Sequence, residues 1–198
     1  MKPDEDKNED KKDNTVKKSE LDILHKNFTN IPDNKNSFKN NKKLALHYYE
    51  RGNEYEKQNN LEQAIIQYKE ALKYDPLLIN TYIKLGNIYD IQKNVSLAKD
   101  NYLRVLQLDP NNFEAHYNLG VIYHKNNQED KAAEEYLEAI TIKPDFAPLH
   151  YNLGIYYYNK NHKKEAIREF KTYLKYTTDL SDKKKIENLI LTLSSLKK

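Results

Sequence analysis

All four glycines of this chain fall on one register: Gly52, Gly86, Gly120 and Gly154, each 34 residues after the last. Ala64, Ala98, Ala132 and Ala166 keep the same interval, and so do Pro76, Pro110 and Pro144. Aromatic residues follow it twice, at Tyr55, Tyr89, Tyr123 and Tyr157 and at Tyr68, Tyr102, Tyr136 and Phe170. The pentapeptide HYNLG occurs at 116–120 and again at 150–154. A fixed period of this length marks a supersecondary unit that buries its apolar face only by stacking on copies of itself. Residues 37–178 therefore read as an array of four units, with approximate limits 45–78, 79–112, 113–146 and 147–180.

Each unit reads as two helices. In the third, FEAHYNLGVIYHK carries helix-spaced apolar residues, and Asn126–Gln128 break it, because asparagine tolerates a left-handed turn. The second helix runs through EDKAAEEYLEAITIK, with Ala132, Ala133, Tyr136, Ala139 and Ile140 on one face. Lys143–Pro144 ends it, since proline disfavours helix at the residue before it. Mid-helix glycine costs roughly 1 kcal/mol against alanine. Its recurrence implies a compensating close approach of the paired helix. Glycine is also scarce, against an average of about 7%, and sheet proteins need it in hairpins and bulges. The fold class expected is all-α.

These residues resemble the tetratricopeptide repeat (TPR). With Ala45 as the first position, the pattern lands on Tyr48, Gly52, Tyr55, Ala64, Tyr68, Ala71 and Pro76. The later repeats carry it at Leu85, Gly86, Tyr89, Ala98 and Tyr102, at Leu119, Gly120, Tyr123, Ala132 and Tyr136, and at Leu153, Gly154, Tyr157, Ala166 and Phe170. Arg51, Val105, Tyr173 and Thr178 depart from it. The resemblance implies an α-solenoid, a right-handed superhelix of four helix hairpins, with first helices lining a concave groove. Residues 181–196 place Ile186, Leu189, Ile190, Leu193 and Leu196 on one face. They read as the C-terminal capping helix that an open last repeat needs. Residues 1–36 mix charges with few aromatics and read as a disordered tail. Within them Leu21, Leu24, Phe28 and Ile31 are near helical spacing, so segment 21–31 is a candidate for self-docking on the groove or on a partner.

On each first helix the face away from the packing stripe supplies the groove candidates. They are Tyr49 and Asn53 in the first repeat and Ile83, Lys84 and Asn87 in the second. The third gives Tyr117, Asn118, Val121 and His124, and the fourth Tyr151, Asn152, Ile155 and Tyr158. Tyrosine gives broad contact at low entropy cost. Asparagine can both donate to and accept from a peptide backbone. Asn118 and Asn152 resemble two rungs of the asparagine ladder in the TPRs of O-linked N-acetylglucosamine transferase. The carboxylate clamp of chaperone-tail binders has no counterpart, because its third-repeat cations correspond to Glu114 and Asn118, or to Pro148 and Asn152 one repeat on.

The remaining features narrow the class of function. The chain has no cysteine, so disulfides and thiolate sites are excluded. Its 198 residues carry 32% charged side chains and a formal charge of +3, with both signs interleaved, which is no basic stripe. The N-terminus lacks the apolar core of a secretory signal, and no stretch is apolar enough to span a membrane. A cytoplasmic location is expected. There is no nucleotide loop, nucleophile motif or metal spacing, so neither cofactor nor enzyme activity is expected. His116 and His150 read as packed residues, and acid pairs such as Glu134–Glu135 as solvated. The function expected is a protein–protein adaptor or scaffold holding an extended partner segment in the groove. The alternatives are a complex subunit docking through its convex face, capping helix or tail and, as a minor case, RNA binding.

Overall fold

A computed structural model describes residues 35–179 and 182–195. Among the described residues there are nine helices and no strand. They are α1 Lys35–Lys57, α2 Leu61–Tyr74, α3 Ile79–Ile91, α4 Val95–Leu108, α5 Phe113–Lys125, α6 Glu129–Ile142, α7 Ala147–Asn159, α8 Lys163–Tyr176 and α9 Lys183–Ser195. Helices α1 to α8 pair as four antiparallel hairpins, each packed on the next, and α9 lies against α8. The architecture is an α-solenoid. Helix α1 starts ten residues before Ala45 and is 23 residues long, whereas the others have 13 or 14. No proline interrupts 35–44, so nothing stops the helix growing backwards.

The turn inside each hairpin is set by one residue. Asn59, Lys93, Asn127 and Asn161 all adopt φ between 57° and 61°. The next residue's N–H then reaches back to the last turn: Asn60 to the Tyr55 carbonyl, Asn94 to Tyr89, Gln128 to Tyr123 and His162 to Tyr157, at 2.8–2.9 Å. This is the Schellman closure, which favours asparagine because other side chains pay for the left-handed conformation. Lys93 breaks that preference. Asn60, Asn94 and Asn112 cap the helices that follow them by accepting from the backbone of Gln63, Leu97 and Ala115.

The glycines explain how the hairpins close. An added Cβ at Gly86 would stand 2.7 Å from the Tyr102 ring, and one at Gly154 would stand 2.5 Å from Phe170; Gly52 meets Tyr68 and Gly120 meets Tyr136 in the same way. Each second helix thus drives an aromatic ring against the bare backbone of the first. Tyr68, Tyr102, Tyr136 and Phe170 are all buried as a result, beside Ala64, Ala98, Ala132 and Ala166. Val105, one of the departures from the repeat pattern, is fully buried within the same core.

Helix α9 covers the last hairpin. Ile186, Ile190 and Leu193 are buried in one cluster with Phe170 and Tyr173, and Leu189 packs against it half-buried. Leu191 points away and is 67% exposed. Of the tail read as 1–36, residues 1–34, with the 21–31 segment, lie outside the described residues, as does Leu196, whereas Lys35 and Asn36 are helical and begin α1.

If the close approach fixes the hairpins, Gly86→Ala should destabilise the chain by about 2 kcal/mol in urea unfolding, despite alanine's better helix propensity. A variant as stable as wild type would refute that account.

Candidate functional site

Helices α1, α3 and α5 lie side by side, and polar side chains link them. Lys84 on α3 donates to Glu56 on α1 at 3.2 Å. Asn118 on α5 donates its amide to the Asn87 carbonyl oxygen on α3 at 3.1 Å. Asn87 in turn donates to Glu114 at 3.4 Å, and Lys125 donates to Asp90 at 2.7 Å. Asn53, Lys84, Asn87 and Asn118 are therefore neighbours on one wall, as the repeat register requires. Tyr49, Asn53, Glu56, Lys57 and Lys84 line one open hollow on it; Tyr49, Asn80, Ile83, Lys84, Asn87 and Glu114 line another.

The wall is tied to the core from behind. The Tyr68 ring passes over Gly52, and its hydroxyl donates to a Glu56 oxygen at 2.6 Å and lies 2.7 Å from the Asn53 side chain. The Tyr102 hydroxyl donates to Asn87. Burial, foremost, holds both phenols well above their ordinary ionisation range, so they act as hydrogen donors. In the third repeat the equivalent wall residue is Val121, and the buried Tyr136 hydroxyl has no partner. In the fourth the pair becomes Ile155 and Phe170, with no polar group on either side. Asn152, the counterpart of Asn118, is half-buried, and its side chain makes no hydrogen bond among the described residues.

The remaining candidates divide. Tyr117 is half-buried, its ring 5.2 Å from Phe146 and 6.3 Å from Tyr136. Tyr151 sits 5.4 Å from Tyr173, and Ile155 packs on the cluster that α9 completes. Val121 is half-buried, while Tyr158 is 46% exposed. His124 is exposed at the end of α5, with Nδ1 2.9 Å from Glu129. Ile83 does both: it belongs to the core cluster at 8% exposed, and its remaining surface lines the hollow with Asn80 and Lys84.

His116 and His150 are buried, as expected of packed residues, but both are also fully engaged. His116 Nδ1 lies 2.7 Å from Glu135 and its Nε2 2.9 Å from the Pro110 carbonyl. His150 repeats this with Glu169 at 2.8 Å and the Pro144 carbonyl at 2.9 Å. A carbonyl only accepts, so Nε2 carries a proton and donates; the second proton lies between Nδ1 and the carboxylate. In the second repeat the Tyr82 hydroxyl donates to the Pro76 carbonyl at 3.1 Å. Each side chain pins the inter-repeat loop to its helix. Glu135 is thus no solvated surface acid. Burial raises its carboxyl above the usual range, against the opposing pull of His116. Among the described residues no group of three or more His, Asp or Glu could hold a metal ion, and no helix is long and apolar enough to cross a membrane.

Two expectations test this geometry. Asn87→Val should recreate the third-repeat mismatch and cost about 1–3 kcal/mol, because it strands the Tyr102 hydroxyl and the Asn118 amide. Adding Tyr102→Phe should recover part of the loss, as the Ile155–Phe170 pair does naturally. Equal stability of the single and double variants in urea titration would count against the coupling. The second concerns pH. A carboxyl raised in the folded state supports the fold below its unfolded value, and that support is lost as pH rises through the folded value. Glu135→Gln should therefore gain stability relative to wild type as the pH rises above the ordinary glutamate range; an unchanged difference would contradict it.

Comparison with known proteins follows the same architecture. A family profile described as TPR repeat matches residues 52–90, 91–127 and 122–161, and one described as tetratricopeptide repeat matches 147–179. No curated protein matches the sequence. Among solved structures, the MamA protein superposes with a TM-score of 0.68 at 23% identity, over 77% of this chain and 84% of that one. PilF of Pseudomonas aeruginosa gives 0.65 at 21%, over 78% and 71%. The first TPR of Spaghetti (RPAP3), bound to the HSP90 peptide SRMEEVD, gives 0.50 at 21%, over 52% and 82%. At these identities the likeness is one of fold.

Proposed function

The chain belongs to the tetratricopeptide repeat family, and from that premise we propose that it is a non-enzymatic adaptor holding an extended segment of a partner protein along the α1–α3–α5–α7 wall. Proteins of this family mediate protein–protein interaction, and fold alone does not name the surface used. The observation that carries the reading is the row of asparagines on adjacent first helices. Asn87 and Asn118 touch across the helix boundary, and Asn152 continues the row without an internal partner. Side-chain amides spaced along a wall suit an extended main chain, whose donors and acceptors recur at every residue. Tyr158 and the half-buried Tyr117 and Tyr151 add apolar contact on the same side.

The ligand is not an acidic peptide held by a terminal carboxylate. Such a carboxylate needs cations facing it. Here the matching third-repeat positions hold Glu114 and Asn118. Of the nearby lysines, Lys84 is engaged by Glu56 and Lys125 by Asp90. A second reading, docking through α9, is favoured by the exposure of Leu191.

The test is a displayed library of random dodecapeptides panned against the full chain. The selected peptides should bind the Asn118→Ala, Asn152→Ala double variant at least about tenfold more weakly by fluorescence anisotropy. Binding that survives these changes and falls only with Leu191→Asp would replace the groove reading with docking through α9.

A further inference from the structure

The four repeats form a series in which a buried aromatic and a wall residue are matched. Tyr68 meets Asn53, Tyr102 meets Asn87, and Phe170 lies behind Ile155. Only the third repeat keeps a hydroxyl, on Tyr136, behind an apolar wall residue, Val121. That hydroxyl is buried and unsatisfied. The packing of Tyr136 on Gly120 matches that of Tyr102 on Gly86, so the hydroxyl is aimed at the Val121 position as Tyr102's is aimed at Asn87.

The same substitution removes the internal acceptor of a second group, the half-buried Asn152. Asn118 spends its amide on the Asn87 oxygen, 31 residues earlier. Asn152 stands at the same 31-residue interval from position 121, where valine has no acceptor to offer. The repeat register thus directs two hydrogen donors, one from behind and one from the neighbouring helix, at one place on the wall. A buried phenol without a partner costs free energy in the isolated chain. An incoming acceptor would recover it.

Resting on the peptide-groove reading above, we propose that the wall at Val121 is a subsite for a main-chain carbonyl of the bound segment, which accepts from the Tyr136 hydroxyl and the Asn152 amide. The acceptor is neutral. On the same helix as Val121, Lys125 is held by Asp90 and His124 by Glu129, so a carboxylate would find no free positive charge from that helix. Because the hydroxyl is covered in the free chain, the carbonyl reaches it by displacing its neighbours, of which the half-buried Tyr117 ring is one.

The experiment uses the peptides selected from the dodecapeptide library, synthesised with free and amidated C-termini, against full-length wild type, Tyr136→Phe and Val121→Asn. Tyr136→Phe removes the stranded donor, and Val121→Asn supplies its internal acceptor. Both should raise the melting temperature while weakening peptide binding about tenfold, and C-terminal amidation should change nothing. A melting temperature that rises with affinity unchanged overturns the subsite, because the hydroxyl is then a structural defect only. Amidation that abolishes binding overturns the neutral-carbonyl assignment. Peptides that lose affinity on Asn118→Ala, Asn152→Ala yet ignore both variants leave the groove standing and remove this subsite. A library that yields no binder removes both.

Discussion

The interaction on which the structure depends is the contact between a bare glycine backbone and an aromatic ring, made once in every hairpin. It sets how near the two helices lie, since a single methyl group on the first helix would collide with the ring. The same contact decides where the ring ends. In the first two repeats the phenol crosses beneath its partner helix and its hydroxyl emerges among the wall residues. Core packing and surface chemistry are thereby coupled through one side chain. A change on the wall at the residue after the glycine is felt in the core, and a change of ring is felt on the wall.

A similar coupling joins the repeats to one another. The ring nitrogens of His116 and His150 each bridge a carboxylate on the second helix and a carbonyl in the loop that enters the repeat. The two sites differ in their surroundings. Glu169 is also held by Arg168 at 2.9 Å, whereas Glu135 has the like charges of Glu134 and Glu138 around it. The same hydrogen-bond geometry thus sits in two electrostatic settings, the more strained of them in the repeat that also carries the Tyr136 mismatch. Neutralising an acid by burial and pairing it with a histidine are alternative answers to one desolvation cost.

Much of this was legible in the sequence because it is local or periodic. The glycine register, the asparagine turns and the amphipathic last helix each follow from spacings within one or two turns, and a 34-residue period transfers one assignment to four places. What was not legible depends on how one helix rolls against another. Glu135 and His116 are 19 residues apart, Lys84 and Glu56 28, and nothing in either helix alone marks them as partners. Glu135 looked like half of a solvated acid pair for that reason. Helical phase directs Ile83 toward the groove, and it lines a hollow there, but phase gives direction and not reach: most of the side chain is covered by the core. The mismatch of Tyr136 and Val121 was present in the sequence, yet only the observed Tyr102–Asn87 bond gives it meaning.

The division of the wall has a consequence for recognition. Where Asn53 and Asn87 are already bound by phenols and Glu56 by Lys84, a ligand can only exchange one hydrogen bond for another, and the net gain of such an exchange is small. Where donors stand without partners, the ligand's bond is added to none, and the chain also loses the penalty of an unsatisfied buried group. Affinity should therefore concentrate at the third and fourth repeats, beside Tyr117, Tyr151 and Tyr158. The first two repeats hold the geometry and, with Lys84 held by Glu56 and Asp90 by Lys125, offer little beyond Lys57 to a charged competitor. On this argument the engaged segment is short, neutral where it meets Val121, and registered by a single main-chain oxygen rather than by its terminus.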